Sequence, residues 1–309
     1  MNLEFKNFPY NFNIKDNFFL KIFSDERFNH FKDKKIIIYG SYPNTKILHR
    51  SYKYLTSKLS TKGMSEWQKV QNGLPSKINR DVFNIWVTYE NRRPQSGIFD
   101  ATLSFDLDDL NGTNFYLPLI YLYMDLLEGN GKTLNHGITQ QLLMNGREFP
   151  VHIRDKKEMF VVTFINNPHP TRMNALIALS EISEVKTFGR YFNNYVIDKI
   201  EEGKKYWFSL CFENDLYPGY VTEKLLEAYL SYSVPLYWGD DAAQVVNPKA
   251  VINLKNFISL KDFVNHVNKI YKDKEALNDI ITQPLLAKTL DIEKLKKFLF
   301  SRLSLRFPL

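Results

Sequence analysis

Apolar residues fall in short runs separated by amphipathic stretches, and the alternation of the two is the first thing this chain discloses. Strand-like runs lie at 35–39, 82–88, 101–105, 159–165, 185–188, 207–212, 234–238 and 251–254. They are rich in β-branched and aromatic residues and are bounded by Gly, Pro, Asn and Asp. Helical spacing of apolar positions marks 117–127, 172–182, 221–232 and 260–270, with a further short helix at 138–144. Strands alternating with helices predict βαβ units and parallel sheets, so the expected fold class is α/β with two Rossmann-like halves. The polar stretch 130–154, with the turn-prone Asn145-Gly146, places the boundary near residue 150. This gives an N-terminal domain over 1–150 and a C-terminal domain over 151–309 that ends in a helix.

The segment most informative about chemistry is Cys211-Phe212-Glu213-Asn214-Asp215-Leu216-Tyr217-Pro218-Gly219-Tyr220-Val221-Thr222-Glu223-Lys224. It follows an aromatic strand and enters a helix whose apolar residues Val221, Leu225 and Tyr229 recur every four positions, with Thr222 as N-cap. First-turn amides and the Lys224 ammonium at the carboxyl end of a strand predict an anion site. First-turn Glu and Lys also serve plainly to solvate a helix, and local features leave the two readings level. A second cationic turn, Asn167-Pro168-His169-Pro170-Thr171-Arg172, follows the strand at 159–165. An Arg is unfavourable in a helix's first turn unless an anion lies there.

Resemblance decides between the readings. Glu213-Asn214, the Tyr220-Val221-Thr222-Glu223-Lys224 run and Val234-Pro235-Leu236-Tyr237-Trp238-Gly239 resemble the signature of the α-1,3-fucosyltransferase family, most closely its bacterial members. The likeness runs without a gap over 206–254 and more weakly back to residue 82. It implies the GT-B architecture, two Rossmann-like domains facing across a cleft, with acceptor binding in the N-terminal domain and the nucleotide sugar in the C-terminal one. It also implies an inverting transferase that moves L-fucose from GDP-fucose to a hydroxyl, O3 by the family's linkage, of an N-acetylglucosamine- or glucose-like unit in a surface glycan such as an O-antigen.

On that resemblance Glu90, in Tyr89-Glu90-Asn91, is the expected general base. Arg172 and Lys224 neutralise the departing diphosphate, and Asn214 and Tyr220 contact the nucleotide. Glu223 holds ribose or sugar hydroxyls, and Gly189 closes a strand near the nucleotide, although a plain β-turn explains that glycine equally well. No metal or other cofactor is required. Asp106-Leu107-Asp108-Asp109 has the look of the metal site of another transferase architecture, but Asn111-Gly112 marks it as a loop.

Composition narrows the rest. The chain has 309 residues, of which 44% are apolar and 15% aromatic, ample for packed cores. No run reaches the length of a membrane span and the N-terminus lacks a continuous apolar segment, so a cytoplasmic location is expected. The single cysteine, Cys211, reads as a buried, inert thiol. A formal charge of +7 suits nucleic acid, an anionic membrane or phosphorylated substrates. Near the C-terminus Lys294, Lys296, Lys297, Arg302 and Arg306 interleave with Ile292, Leu295, Phe298, Leu299 and Leu303. That pattern fits a peripheral helix at the inner membrane face, where a lipid-linked acceptor would be met, or a packed terminal helix with a solvated face.

Rival readings are transfer of another GDP-linked deoxy or amino sugar, a noncatalytic GDP-sugar binder, and a basic RNA-binding module. The last is disfavoured because most aromatics sit in strand-like runs rather than on a stacking platform, so no nucleic-acid partner is expected. The dinucleotide, P-loop and nucleophile-elbow motifs are absent.

Overall fold

The computed structural model describes residues 1–8, 12–41, 78–89, 91–94, 96–127 and 137–308. Along the described chain the elements begin β1 (Asn2–Lys6), α1 (Phe18–Ile22), β2 (Lys35–Gly40), β3 (Phe83–Val87), β4 (Ala101–Ser104), β5 (Asn114–Tyr116) and α2 (Leu119–Leu122). They continue with α3 (Gln140–Met144), α4 (Val151–Arg154), β6 (Met159–Phe164), α5 (Pro170–Ser180), β7 (Val185–Phe188), α6 (Lys199–Gly203) and β8 (Tyr206–Leu210). The last are α7 (Glu223–Leu230), β9 (Val234–Tyr237), β10 (Ile252–Asn253), α8 (Leu260–Lys272), α9 (Lys274–Thr282) and α10 (Ile292–Arg306). Two parallel sheets flanked by helices confirm the α/β, two-sheet class. Among the described residues no helix is long and apolar enough to cross a membrane.

The chain divides into two units, one of 1–137 with 290–309 and one of 138–289. The expected division at 150 therefore differs from the observed one at both ends. The physical reason is visible in α10. Leu295, Leu299 and Leu303, one turn apart, are fully buried, and Phe300 and Phe298 pack on Phe31 and Phe115 of the first unit. Lys296 pairs with Asp25 at 2.8 Å, and Arg302 donates to the Asp100 carbonyl. The apolar stripe that made a membrane-surface helix conceivable is thus the face that packs, while Lys294 and Lys297 stay exposed.

In the first unit the sheet order is β1-β2-β3-β4-β5, growing in one direction. β1 escapes a reading by periodicity because Glu4 and Lys6 interrupt it. It is an edge strand, and charges there are ordinary. Only four residues of the expected helix at 117–127 are helical, those of α2, after which Tyr123 and Met124 close tight turns. The Asp106–Asp109 loop is built from aspartates accepting the amides of Asp108, Leu110 and Asn111, which is turn chemistry.

In the second unit the order is β10-β9-β8-β6-β7. β6 comes first in sequence yet lies between β7 and β8, so the chain winds outward in both directions from that point. Ligands of doubly wound sheets sit in the crevice at the carboxyl ends of such a pair. The central strands β6, β8 and β9 are buried on both faces, with Phe160, Val161, Phe208, Leu210, Val234 and Leu236 packing against Ala175 and Leu179 of α5 and Phe263 and Val267 of α8. Cys211 is buried as expected, its thiol donating weakly to the Leu236 carbonyl while burial pushes its pKa up.

Candidate functional site

The site is assembled at the carboxyl ends of β6 and β8. After β6 the chain turns through Asn166 and Asn167 into α5, where His169 serves as N-cap, its Nδ1 accepting from the Thr171 amide at 3.3 Å. Its ring also lies 5.3 Å from that of Trp238, which ties this turn to the end of β9. Arg172, 5% exposed in the first turn of α5, reaches across to the end of β8. Its Nε and Nη2 both donate to the Phe212 carbonyl, at 3.1 and 2.6 Å, and Nη1 donates to the Asn167 carbonyl at 2.9 Å. Nη2 also donates to Asn214 Oδ1 at 2.7 Å.

The guanidinium therefore joins the two loops over the switch point, and all but one of its N–H groups are engaged. This is a finding beyond the sequence reading, in which the fork faced an anion. Carbonyl oxygens supply the negative ends that a first-turn Arg needs. Burial lowers the Arg172 pKa, while Glu213 and Tyr220 act against it, and a group with so high an ordinary value stays charged. Because an arginine only donates, the Asn214 oxygen must face it. The Asn214 NH2 is left pointing away from Arg172, with no acceptor among the described residues.

The second half of the site closes around Glu213. Its side chain has no exposed surface, and it accepts from the Thr222 amide and hydroxyl, each at 2.8 Å, from Lys224 Nζ at 3.2 Å and from Tyr237 OH at 3.3 Å. Lys224 Nζ also donates to Thr222 Oγ1 at 2.9 Å and lies 3.6 Å from Glu223. Where the sequence predicted an external anion at the start of α7, the protein places one of its own, a carboxylate at the positive end of the helix. Burial works against the Lys224 charge, but Glu213 and Glu223 outweigh it and hold the ammonium above its ordinary value. Burial raises the Glu213 pKa, and Lys224 opposes that rise. For Glu223 the pull of Lys224 and of hydrogen bonds exceeds the effect of burial and holds the carboxylate lower than usual. Lys224 retains about a fifth of its side-chain surface.

The other expected residues are placed as follows. Tyr220 is 2% exposed, so it stands in the wall rather than on the surface, and its phenol contributes to the charge balance of Arg172 and Lys224. Gly219, at φ +84°, donates its amide to the Asp240 carbonyl and pins this loop to the end of β9. Gly189 has φ +110°, and a Cβ there would stand 2.4 Å from the Ile165 carbonyl oxygen. A plain turn does not explain this glycine, because the backbone is pressed against the end of β6. Glu90 lies outside the described residues. Arg172, Asn214, Tyr220, Glu223 and Lys224 are thus gathered at one edge, with Gly189 on its β7 side. Site reasoning had left out Glu213, His169 and Trp238, although Glu213 and Trp238 stand within the quoted motif. Among the described residues no group of three His, Cys, Asp or Glu side chains could hold a metal ion.

This chain is similar to several known proteins. Residues 152–281 match the model of the glycosyltransferase family 10 (fucosyltransferase) C-terminal domain. An α-(1,3)-fucosyltransferase of Helicobacter pylori is 26% identical over 83% of this chain, and the chain spans 57% of that protein's length. In structure, the chain resembles a crystal structure of an α1,3-fucosyltransferase with a TM-score of 0.65 at 23% identity, covering 98% of this chain and 90% of the other. A second such structure, with GDP-fucose, gives a TM-score of 0.58 at 22% identity over 79% and 87% of the two chains.

Proposed function

We propose, on the match of residues 152–281 to the glycosyltransferase family 10 (fucosyltransferase) C-terminal model, that the chain transfers L-fucose from GDP-fucose to a hydroxyl, O3, of an N-acetylglucosamine- or glucose-like unit in a glycan. The observation that carries the reading is the junction of Arg172 with Asn214 across the switch point between β6 and β8. It fixes an amide donor, flanked by cations, where a doubly wound sheet holds its ligand. The printed descriptions of the H. pylori relative and of the structure with GDP-fucose support the choice of donor.

In this proposal the acceptor oxygen attacks the anomeric carbon of fucose from the face opposite the nucleotide. The bond to the β-phosphate oxygen breaks, GDP departs and the configuration inverts. Glu90 takes the acceptor's proton, a contribution worth about 10²- to 10⁴-fold. Lys224, with the remaining N–H of Arg172 and the Asn214 NH2, stabilises the charge gathering on the diphosphate, the kind of help that commonly contributes most. No metal ion takes part, since these cations do that work. Glu223, held ionised beside Lys224, accepts from ribose or sugar hydroxyls. Tyr220 and Gly189 shape the wall on either side.

The cellular setting belongs to the same proposal: a cytoplasmic enzyme acting on lipid-linked glycans, with any membrane contact resting on the exposed Lys294 and Lys297 rather than on an apolar face.

The test is incubation of purified protein with GDP-fucose and a panel of disaccharides, with mass spectrometry of the products. A deoxyhexose increment, seen with GDP-fucose and not with other GDP-sugars and lost in Glu90→Gln while GDP still binds, is the expected result. No increment on any acceptor, or faster turnover of a different GDP-sugar, removes fucose from the account.

A further inference from the structure

One cation at the carboxyl edge of the second sheet is used neither by the resemblance nor by the site above. Arg190 follows Gly189, whose left-handed backbone and contact with Ile165 turn the chain at the end of β7 back over the end of β6. Tyr191 donates its amide to the Ile165 carbonyl at 3.2 Å, which fastens the turn. Two side-chain amides from the loop between β6 and α5 then hold Arg190. Its backbone N–H donates to Asn166 Oδ1 at 3.0 Å, and its Nη2 donates to Asn167 Oδ1 at 3.2 Å. The carbonyl of the same Asn167 accepts from Arg172 Nη1. Two guanidiniums are therefore linked through one asparagine.

An exposed arginine ordinarily waves in water or pairs with an acid. Here both groups make all their side-chain hydrogen bonds to uncharged oxygens of carbonyls and amides, so neither positive charge is neutralised by these bonds. The cations also differ in what they have left to offer. Arg172 has all but one of its N–H groups engaged by protein, and Lys224 is engaged by Glu213 and Thr222. Arg190 makes a single side-chain bond and is exposed, so most of its fork remains for an oxygen-rich anion.

We propose that Arg190 is a donor-diphosphate residue, its guanidinium closing on the pyrophosphate oxygens from the β7 side while Arg172, Asn214 and Lys224 hold them from the other. The proposal rests on the reading above in placing a nucleoside diphosphate at this edge. It adds that the strongest single phosphate contact comes from the β7 turn rather than from α5 or α7.

The test measures equilibrium binding of inorganic pyrophosphate, GDP and guanosine to the full chain and to Arg190→Gln and Arg190→Lys. A thermal melt checks that each variant is folded, as an exposed side chain leads one to expect. Arg190→Gln should weaken pyrophosphate and GDP by about tenfold or more and leave guanosine unchanged, with Arg190→Lys in between. Unchanged pyrophosphate and GDP affinity in Arg190→Gln overturns the proposal, as does an equal loss for guanosine, which would move the residue onto the base. Wild-type protein that binds pyrophosphate through Arg190 but prefers another nucleoside diphosphate to GDP supports this proposal while sinking the fucosyl-donor reading.

Discussion

The Glu213 carboxylate, without exposed surface at the end of β8, receives the Lys224 ammonium at 3.2 Å across the first turn of α7. The helix that presents Lys224 is thereby fastened at its positive end by an internal anion. At its other end Arg147 donates to the Tyr229 carbonyl and Lys157 to that of Ser231. Side-chain hydrogen bonds thus fix α7 in place at both ends, and the site cation is pre-oriented before any ligand arrives.

Removing the anion leaves an ammonium, an amide and two hydroxyls short of an acceptor. Glu213→Ala should lower the unfolding free energy by about 3–5 kcal/mol, while Glu213→Gln, which keeps one acceptor oxygen, costs about 1–3 kcal/mol. Urea denaturation of both variants checks this. A loss below about 1 kcal/mol in Glu213→Ala would mean that the pair does not organise the turn.

Gly189→Ala should be costly although the change is one methyl group. Its φ of +110° disfavours any side chain, and backbone atoms of Ile165 lie 2.4, 2.7 and 2.9 Å from the new Cβ. Backbone strain of about 1–3 kcal/mol and a steric penalty of similar size act together. Chemical denaturation that shows this variant as stable as the wild type would refute the close approach.

Lys157 gives a signed dependence on pH. It is buried where the amino ends of β6 and β8 meet the end of α7, donating to the Tyr206 carbonyl at 2.6 Å, the Ser231 carbonyl at 3.2 Å and Ser233 Oγ at 3.3 Å. Burial, with a smaller push from Arg147, lowers its pKa to about 7. Between about pH 7 and the ordinary lysine range near 10 the unfolded chain holds this proton and the folded one does not. Raising the pH through that window therefore favours folding, and below pH 7 the contribution is lost. Wild-type stability measured relative to Lys157→Met should rise by up to about 1.4 kcal/mol per pH unit there. Parallel curves for the two proteins would show that the ammonium loses nothing by burial.

Much of the second unit was legible in the sequence, because buried parallel strands write themselves as uninterrupted apolar runs and because α7 carries a clear cap in Thr222. The order of those strands was not legible. Nothing in the periodicity of 185–188 says that β7 lies outside β6, and that placement is what creates the switch point. The chain marked Glu213, Arg172, Asn214 and Lys224 as polar groups at strand ends, yet their partners depend on distances across the sheet. Hence the Glu213 carboxylate meets Thr222 and Lys224 at the start of α7, and the Phe212 carbonyl takes two N–H groups of the Arg172 fork. In the first unit the edge strand β1 was hidden by its charges, and the choice for α10 between a membrane-surface helix and a packed one stayed open in the sequence because the aromatics that cover it, Phe31 and Phe115, are remote in sequence.

The central claim is that Asn214, turned by Arg172, offers its NH2 to the donor diphosphate, and Asn214→Asp tests it most directly. The replacement keeps the shape and gives Arg172 a better acceptor, so the fold should be as stable as before or more so. It also exchanges the donating NH2 for a negative oxygen. Isothermal titration with GDP should then show affinity lower by about tenfold or more, whereas GDP binding equal to that of the wild type would contradict the account.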